Sequence, residues 1–500
     1  MKSYDFAATS HWNRLRAGRR ALSSRAAFAA LAVVAADGFA PPPTSSQPAI
    51  HAHVILGGRV MDPESGLDAL RNVAIDGDRV TVVSAAALRG RDTIDARGLV
   101  VAPGFIDLHQ HAQDSAAYRV EVLDGTTSAL ELEEGPDDVA AWYAARSAGA
   151  LINYGAGVGH VAVRKAVLRD TADEAPVGAA RDRAATPAEL DEIRRRLARG
   201  LDAGAVAVGM IVAWTPAARP WEVLETFRLA AAHHASVHIH LRDLEEPQYL
   251  LELEEAIAAS ATTGAAVQIV HVQSSALEDT PRMLDMIRGA RLRGLDVTTE
   301  CYPYDAAMSS IRSVSDSAWR GKPDAWFARI EWPATGERLT RETFARFRQS
   351  GGDVVIHNNT ETVVRAAVAD SLTMIASDGI LHDGIGHPRV AGSFARVLGR
   401  YVREEHALTL MAALRKMTLS PALRLEHRVP AMRRKGRLSQ GADADVVVFD
   451  PRLVADRATY REPTLPPAGI PYVLVNGTVV VRDGKVVDHV LAGRPIRAPR

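Results

Sequence analysis

Two histidines spaced by one residue, in the run PGFIDLHQH, open the chemical reading of this chain. His109 and His111 follow the apolar stretch LVVAPGFI. Residues two apart on a strand face the same side, so both imidazoles can reach one ion at the end of that strand. The same residue types recur at the ends of later strand-like runs: His240 in SVHIHLRD, His271 in AVQIVHVQ and Asp378 in LTMIASDG. Taken singly, each has a plainer explanation, such as a core imidazole bonded to backbone or an Asp opening a turn before Gly379. Taken together they are the ligands zinc takes when thiolate is absent. Thiolate is scarce here, since Cys301 is the only cysteine, which excludes an intramolecular disulfide and every Cys-rich zinc motif.

A carboxylate between the histidines is sought in GTTSALELEEG. If Leu130 and Leu132 face outward, the period of two turns Ala129, Glu131 and Glu133 inward, with Glu133 nearest the strand's C-terminal end. Glu133 is therefore the expected shared ligand, with Glu131 and Glu134 as the alternatives. The expected cofactor is zinc, one ion or two, and the expected nucleophile is water, because bound zinc lowers the pKa of water to roughly 7. Asp378 is the candidate acid and base that would move a proton to and from that water.

These residues need elements that bring them to one rim. From about residue 103 to 429, strand-like runs (TTSALELE, LINYGAGVGH, AVAVGMIV, SVHIHL, AVQIVHV, LDVTTECY, DVVIHN, LTMIASD) alternate with helix-like stretches such as ELDEIRRRLARGLDAG. That rhythm predicts an α/β protein with a (β/α)8 TIM barrel, which usually takes about 250 residues before insertions. A doubly wound sheet is the rival, but no G-x-G-x-x-G stands at a first strand-to-helix turn. Short β-rich runs over 50–102 and again over 430–500 predict a small β-sandwich domain built from both chain ends.

The first 45 residues differ. Arg14, Arg16, Arg19, Arg20 and Arg25 precede an Ala-rich run over 26–36 and then Pro41, Pro42 and Pro43. That order predicts a signal peptide and linker with a twin-arginine pair, hence export to the periplasm, with a cytoplasmic protein as the alternative. The apolar run is shorter than the roughly 20 residues a membrane-spanning helix needs. With 59 Lys and Arg against 60 Asp and Glu, no net field attracts nucleic acid or an anionic surface. A small molecule is the expected partner, and a homo-oligomer stays open.

At these motifs the chain resembles the amidohydrolase superfamily, and within it the N-acyl-D-amino-acid deacylase (D-aminoacylase) branch. The likeness covers almost everything after residue 50 and is carried by PGFIDLHQH, the pair Gly159-His160, HLR at 240–242, ECYPYD at 300–305, SDG followed by HPR, KMTLSPA and GADADVVVFDP. It implies a metal-lined barrel, a flanking β-domain and hydrolysis of an N-acyl bond. It also implies a substrate site, for which Arg389 is the candidate carboxylate clamp, since a guanidinium grips a carboxylate with two parallel hydrogen bonds. His160, Tyr304 and His387 are candidates for orienting substrate or a ligand.

The chain departs from that branch in three places. The carboxylated lysine that bridges two metals in many superfamily members has no counterpart in AGAVAVGMIVAW, and the cysteine used instead by the branch is replaced in the segment 125–135, which leaves the bridge to glutamate. Gln273 stands where the branch has a lysine, and Trp214 where it has a tyrosine, both expected to touch the amino-acid carboxylate. Losing a cation there weakens the case for an acidic product, and an indole suits a bulkier or more apolar group. The competing readings are a hydrolase of bulkier aromatic, peptide-like or cyclic amides, a deaminase on the same barrel, an iron redox enzyme, and a barrel scaffold without activity.

Overall fold

The computed structural model describes residues 49–173, 175–242, 249–313 and 319–499. The expected signal peptide lies outside the described residues. Among these residues no helix is long and apolar enough to cross a membrane.

Both chain ends enter one sheet of nine strands. Ile50–Asp62, Leu67–Asp76, Arg79–Ser84, Arg89–Asp95 and Val100–Pro103 come from the first hundred described residues, and Val446–Phe449, Tyr472–Val475, Thr478–Arg482 and Lys485–Val486 from the last sixty. The seam is the antiparallel pairing of Val100–Pro103 with Val446–Phe449. The run VVVF is apolar at every position because both faces of its strand are covered. Val446 and Val448 join Ile55, Val73 and Leu474 in a core belonging to the sheet. Val447 and Phe449 point the other way, into the large core that includes Phe105 and Val122. A slip of one residue would exchange those two sets, so the register is strongly specified.

The middle of the chain is α/β. Thr373–Ile375, Val297–Cys301, Ala266–Ile269, Ser236–His240, Val208–Ile211 and Val158–Gly159 form a parallel sheet in that order, and Phe105–Asp107, Thr126–Glu131 and Asn153–Ala156 form a second. Only Gly157 separates Asn153–Ala156 from Val158–Gly159, and its amide bonds Glu131 O while Val158 N bonds Ala207 O. At the opposite edges, Asp378 N donates to His109 O at 2.8 Å and His111 N to Gly379 O at 3.0 Å. Helices connect successive strands. Pro187–Asp202 shows why they form where they do: Thr186 and Glu189 make a capping box, Pro187 opens the first turn, and Ile193, Leu197 and Leu201 bury one face.

Gly104 marks the change from one architecture to the other. It separates Val100–Pro103 in the nine-stranded sheet from Phe105–Asp107 in the parallel one. A Cβ at this position would lie 2.2 Å from the Thr127 side chain, so only glycine permits the close crossing.

One expected strand belongs elsewhere. The run DVVIHN, expected among the alternating parallel strands, instead forms Asp353–Ile356, which pairs antiparallel with Ala307–Ser310 and Ile330–Trp332 in a separate four-stranded sheet. That sheet packs on Ile311, Phe327, Leu339, Phe344 and Val354, flanked by Trp319, Trp326 and Trp332. A short apolar run looks the same in either kind of sheet, and the aromatic cluster that selects its neighbours is spread from Trp319 to Phe347.

Candidate metal centre

All six expected donors sit at or just past the C-terminal ends of parallel strands. His109 and His111 follow Phe105–Asp107, Glu133 lies two residues beyond Thr126–Glu131, His240 ends its strand, and His271 and Asp378 follow Ala266–Ile269 and Thr373–Ile375. His271 (φ 29°) and Asp378 (φ 52°) both occupy the left-handed region. Backbone strain in non-glycine residues gathers where the surroundings over-determine a side-chain position.

The donors converge into two groups of three, His109 with His111 and Asp378, and Glu133 with His240 and His271, the ligand atoms of each group lying within 4.8 Å of one another. Glu133 stands between the groups. Its Oε1 is 2.9 Å from His240 Nδ1 and 3.1 Å from His271 Nε2, and its Oε2 is 3.1 Å from His109 Nε2 and 3.3 Å from His111 Nε2. Asp378 Oδ1 is 3.4 Å from His109 Nε2 and 3.3 Å from His111 Nε2. His109 Nε2 and His111 Nε2 are themselves 3.0 Å apart. Two imidazole lone pairs approach so closely only with a proton or a cation between them, and nitrogen and carboxylate oxygen are a donor set zinc accepts. The residues therefore fit a bound metal.

The electrostatics agree. Burial alone would pull His109 and His111 down. The carboxylates of Asp378 and Glu133 around the first, and of Glu131, Asp378 and Glu133 around the second, outweigh it and hold both well above the usual histidine value. For Glu133 burial works upward, yet the imidazoles of His109, His111 and His240 hold it well below the usual carboxylate range. Asp378 is likewise lowered, because Arg389 and His109 overcome its burial. Such a cluster has strong affinity for positive charge in a desolvated place.

Of the three glutamates in 125–135, Glu133 alone lies between the two groups. Glu131 holds His111 from behind, its Oε2 2.8 Å from Nδ1 while its Oε1 accepts from Glu134 N. Glu134 is half-buried, 3.9 Å from His111 Nδ1. Alternation decides this: Leu130 and Leu132 are fully buried with Ile106, Met374 and Ile496 on the other face.

The expected substrate residues divide. Arg389 is completely enclosed, with Nη1 paired to Asp378 Oδ2 at 2.8 Å and its guanidinium 4.6 Å above the Tyr302 ring, while Nε has no hydrogen-bond acceptor. Gln273 donates to Tyr302 O at 3.3 Å, and its Oε1 has no partner. His387 accepts from Arg389 N at 3.1 Å and meets the Tyr304 ring edge-on, 5.5 Å between centroids. Tyr304 itself is tied to Asp456. Trp214 is half-buried in the turn after Val208–Ile211. His160 is not brought to the cluster: its Nε2 lies 2.9 Å from Glu222, whose carboxylate also pairs with Arg164, in a separate buried network.

Two contributors escaped the sequence reading. Glu300, on Val297–Cys301, accepts from His109 Nδ1 at 2.6 Å, and Tyr302 lies beneath Arg389 with its ring 6.4 Å from that of His271. Both lie in the ECYPYD run, where alternation is the signal for the first of them: Glu300 sits one strand position before the buried Cys301 and so faces inward.

With this geometry in view, comparison with known proteins identifies the chain's relatives. A sequence model of the amidohydrolase family matches residues 92–481. The chain belongs to the amidohydrolase family. Among curated members, an N-acyl-D-glutamate deacylase of Alcaligenes xylosoxydans xylosoxydans is 33% identical, the match covering 88% of this chain and 98% of the relative. A crystal structure of N-acyl-D-glutamate deacylase from Bordetella bronchiseptica, complexed with zinc and a phosphonate inhibitor that mimics the reaction's tetrahedral intermediate, superposes with a TM-score of 0.78 at 28% identity, over 90% of this chain and all of the other. A D-aminoacylase structure determined in work on its binuclear metal centre gives 0.76 at 26% identity, again over 90% of this chain and all of the other.

Proposed function

We propose that this amidohydrolase is a zinc-dependent enzyme that cleaves the amide of an N-acyl amino acid. The observation that carries the reading is Glu133 standing between two groups of imidazoles, with Asp378 beside one of them. His109, His111 and Asp378 would hold one ion and Glu133, His240 and His271 the other or the single tighter one. The zinc and intermediate mimic in the solved deacylase support this choice of metal and of reaction. Bound there, zinc supplies a Lewis acid for the scissile carbonyl and activates water at neutral pH.

The chain's own groups do the rest. Asp378 lies at the same rim with a carboxylate held unprotonated by Arg389 and His109, so it can take a proton from water and pass it to the leaving nitrogen. Arg389 keeps an unpartnered Nε–H beside its ion pair with Asp378, which suits it to a substrate carboxylate. Gln273 offers an amide where a cation would favour an acidic side chain, and the Trp214 indole in the turn after Val208–Ile211 suits an apolar group, so the acyl amino acid is bulkier or less acidic than glutamate. Counting Asn153–Ala156 and Val158–Gly159 as one strand interrupted at Gly157, we further read the parallel strands of the two sheets as one closed (β/α)8 barrel; the hydrogen bonds at Gly157 and between Asp378 and His109 support closure. The Arg19–Arg20 segment is proposed to direct export, which sequencing the N-terminus of periplasmic protein would check.

A hydrolysis screen of N-acetyl-D- and N-acetyl-L-amino acids, with zinc counted on the same sample, tests the function. Release of amine from apolar N-acetyl amino acids by protein holding one or two zinc ions is expected. Release of none from any member of the panel would overturn it.

A further inference from the structure

We propose that Gln268, Thr298 and Arg424 are positioning residues that act on the metal centre through Glu300 and His109, setting which nitrogen of His109 faces the metal. The inference rests on the reading of His109 as a ligand.

A hydrogen-bonded column leads away from His109, down the face shared by Val297–Cys301 and its neighbour Ala266–Ile269. His109 Nδ1 lies 2.6 Å from Glu300 Oε1. The other oxygen, Oε2, accepts from Gln268 Nε2 at 2.9 Å. Gln268 Oε1 accepts in turn from the Thr298 hydroxyl, and Thr298 Oγ1 accepts from Arg424 Nη1 at 3.2 Å. Arg424 sits in the helix Leu419–Leu425 and grips Asp296 at 2.7 and 2.8 Å, at the N-terminal end of the same strand. Gln268 and Thr298 are paired in register, and Thr298 and Glu300 are two apart, so all three side chains share one face. Gln268 and Glu300 are fully buried.

Each link has a forced direction. Arg424 has no acceptor, so Thr298 must receive its hydrogen and give its own elsewhere. Two acceptors are in reach, Val267 O at 3.3 Å and Gln268 Oε1 at a shorter distance, and the shorter one takes the proton. With its oxygen committed to Thr298, Gln268 must turn its NH2 to Glu300. Glu300, one oxygen occupied, presents the other to His109 as an acceptor. A hydrogen is therefore held on His109 Nδ1, so that Nε2, the atom facing Glu133, His111 and Asp378, is the nitrogen that gives up its proton when a metal binds. A partner behind a ligating imidazole orients the ring and selects its tautomer. Here the selection begins with a guanidinium at the far end of the strand.

The test measures zinc affinity by competition with a chromophoric chelator on the full chain, using only variants with parent-like circular dichroism. Gln268→Leu is expected to weaken zinc binding by about 10-fold or more, the range seen when such supporting partners are removed. Thr298→Val should weaken it in the same direction by less, and Thr298→Ser, which keeps the hydroxyl, should restore it. Thr299→Val is the control. Its hydroxyl is buried and bonded to Ile269 O at 2.9 Å on the opposite face, so its loss perturbs the same strand without touching the column. Zinc affinity equal to the parent in Gln268→Leu, or an equal loss in Thr299→Val, overturns the inference. A parent protein that holds no zinc overturns the functional reading along with it.

Discussion

Two buried polar clusters in this protein are built from similar chemistry and behave differently. One is the group around Glu133. The other joins the two architectures: Lys435 Nζ lies 2.6 Å from Asp445 Oδ2 and 3.0 Å from Asp443 Oδ2, Asn153 Nδ2 donates to Asp445 Oδ2, Asn476 N donates to Asp445 Oδ1, and Asn476 Nδ2 donates to Asn153 Oδ1. In that second cluster every donor finds an acceptor of opposite character, and none of its atoms is left without a partner. Burial would lower Lys435, but Asp445 and Asp443 more than offset it and the ammonium is held above its usual value. The Glu133 cluster instead sets nitrogen against nitrogen at 3.0 and 3.2 Å, and the groups around it (Arg389, Gln273, His387) keep buried polar atoms unpartnered. A closed network stabilises the fold. An open one of equal burial is completed by something from outside, and that is the physical mark of a binding site.

The comparison can be broken experimentally. Glu133→Gln should have the largest effect: removing the anion shared by four imidazoles should abolish both zinc retention and turnover, measured by metal analysis and amine release, with little loss of melting temperature in the metal-free protein. Asp378→Asn should lower kcat/KM by about 10²- to 10⁴-fold, the usual contribution of a positioned acid-base group, while the zinc held by Glu133, His240 and His271 stays bound. Full activity in that variant would remove Asp378 from the proton path.

Lys435→Met should do the reverse. Leaving Asp445 and Asp443 buried without their cation should cost about 3–5 kcal/mol of stability, with zinc content and specific activity of the folded fraction unchanged. Its pH dependence follows from the direction of the shift. A lysine raised in the folded state contributes fully below its unfolded value of about 10.4 and loses that contribution as pH rises through the higher folded value. The difference in stability between parent and Lys435→Met should therefore be flat from neutral pH to about pH 9 and shrink only in stronger alkali, as urea melts would show. Asn476→Ala is the smallest change: two donated hydrogen bonds and a favourable left-handed residue (φ 47°) are lost, for about 1–2 kcal/mol and no effect on zinc. A zinc deficit in either lysine or asparagine variant would show that the two clusters are not independent.

How much of this was legible beforehand depends on the range of the interaction. His109, His111, His240, His271 and Asp378 stand out because strand ends can be recognised locally, and Glu133 is separated from Glu131 and Glu134 by a period of two that Leu130 and Leu132 report within a few residues. Glu300 was not found, since its partner His109 is 191 positions away and nothing near Glu300 marks it as an acceptor for that imidazole. Asp353–Ile356 was misplaced for a related reason: an apolar four-residue strand carries no label for parallel or antiparallel neighbours.

By itself, then, the amino-acid order determined the residue types available for chemistry, the alternation of strands and helices that carries them, and the inward face of each strand, because period and propensity act between neighbours. Only the tertiary structure decided which donors meet, that Glu133 stands between the groups, that Arg389 is closed against Asp378, and that a column of hydrogen bonds ends on His109. Those are distances between side chains set by the packing of whole elements, and no local pattern encodes them.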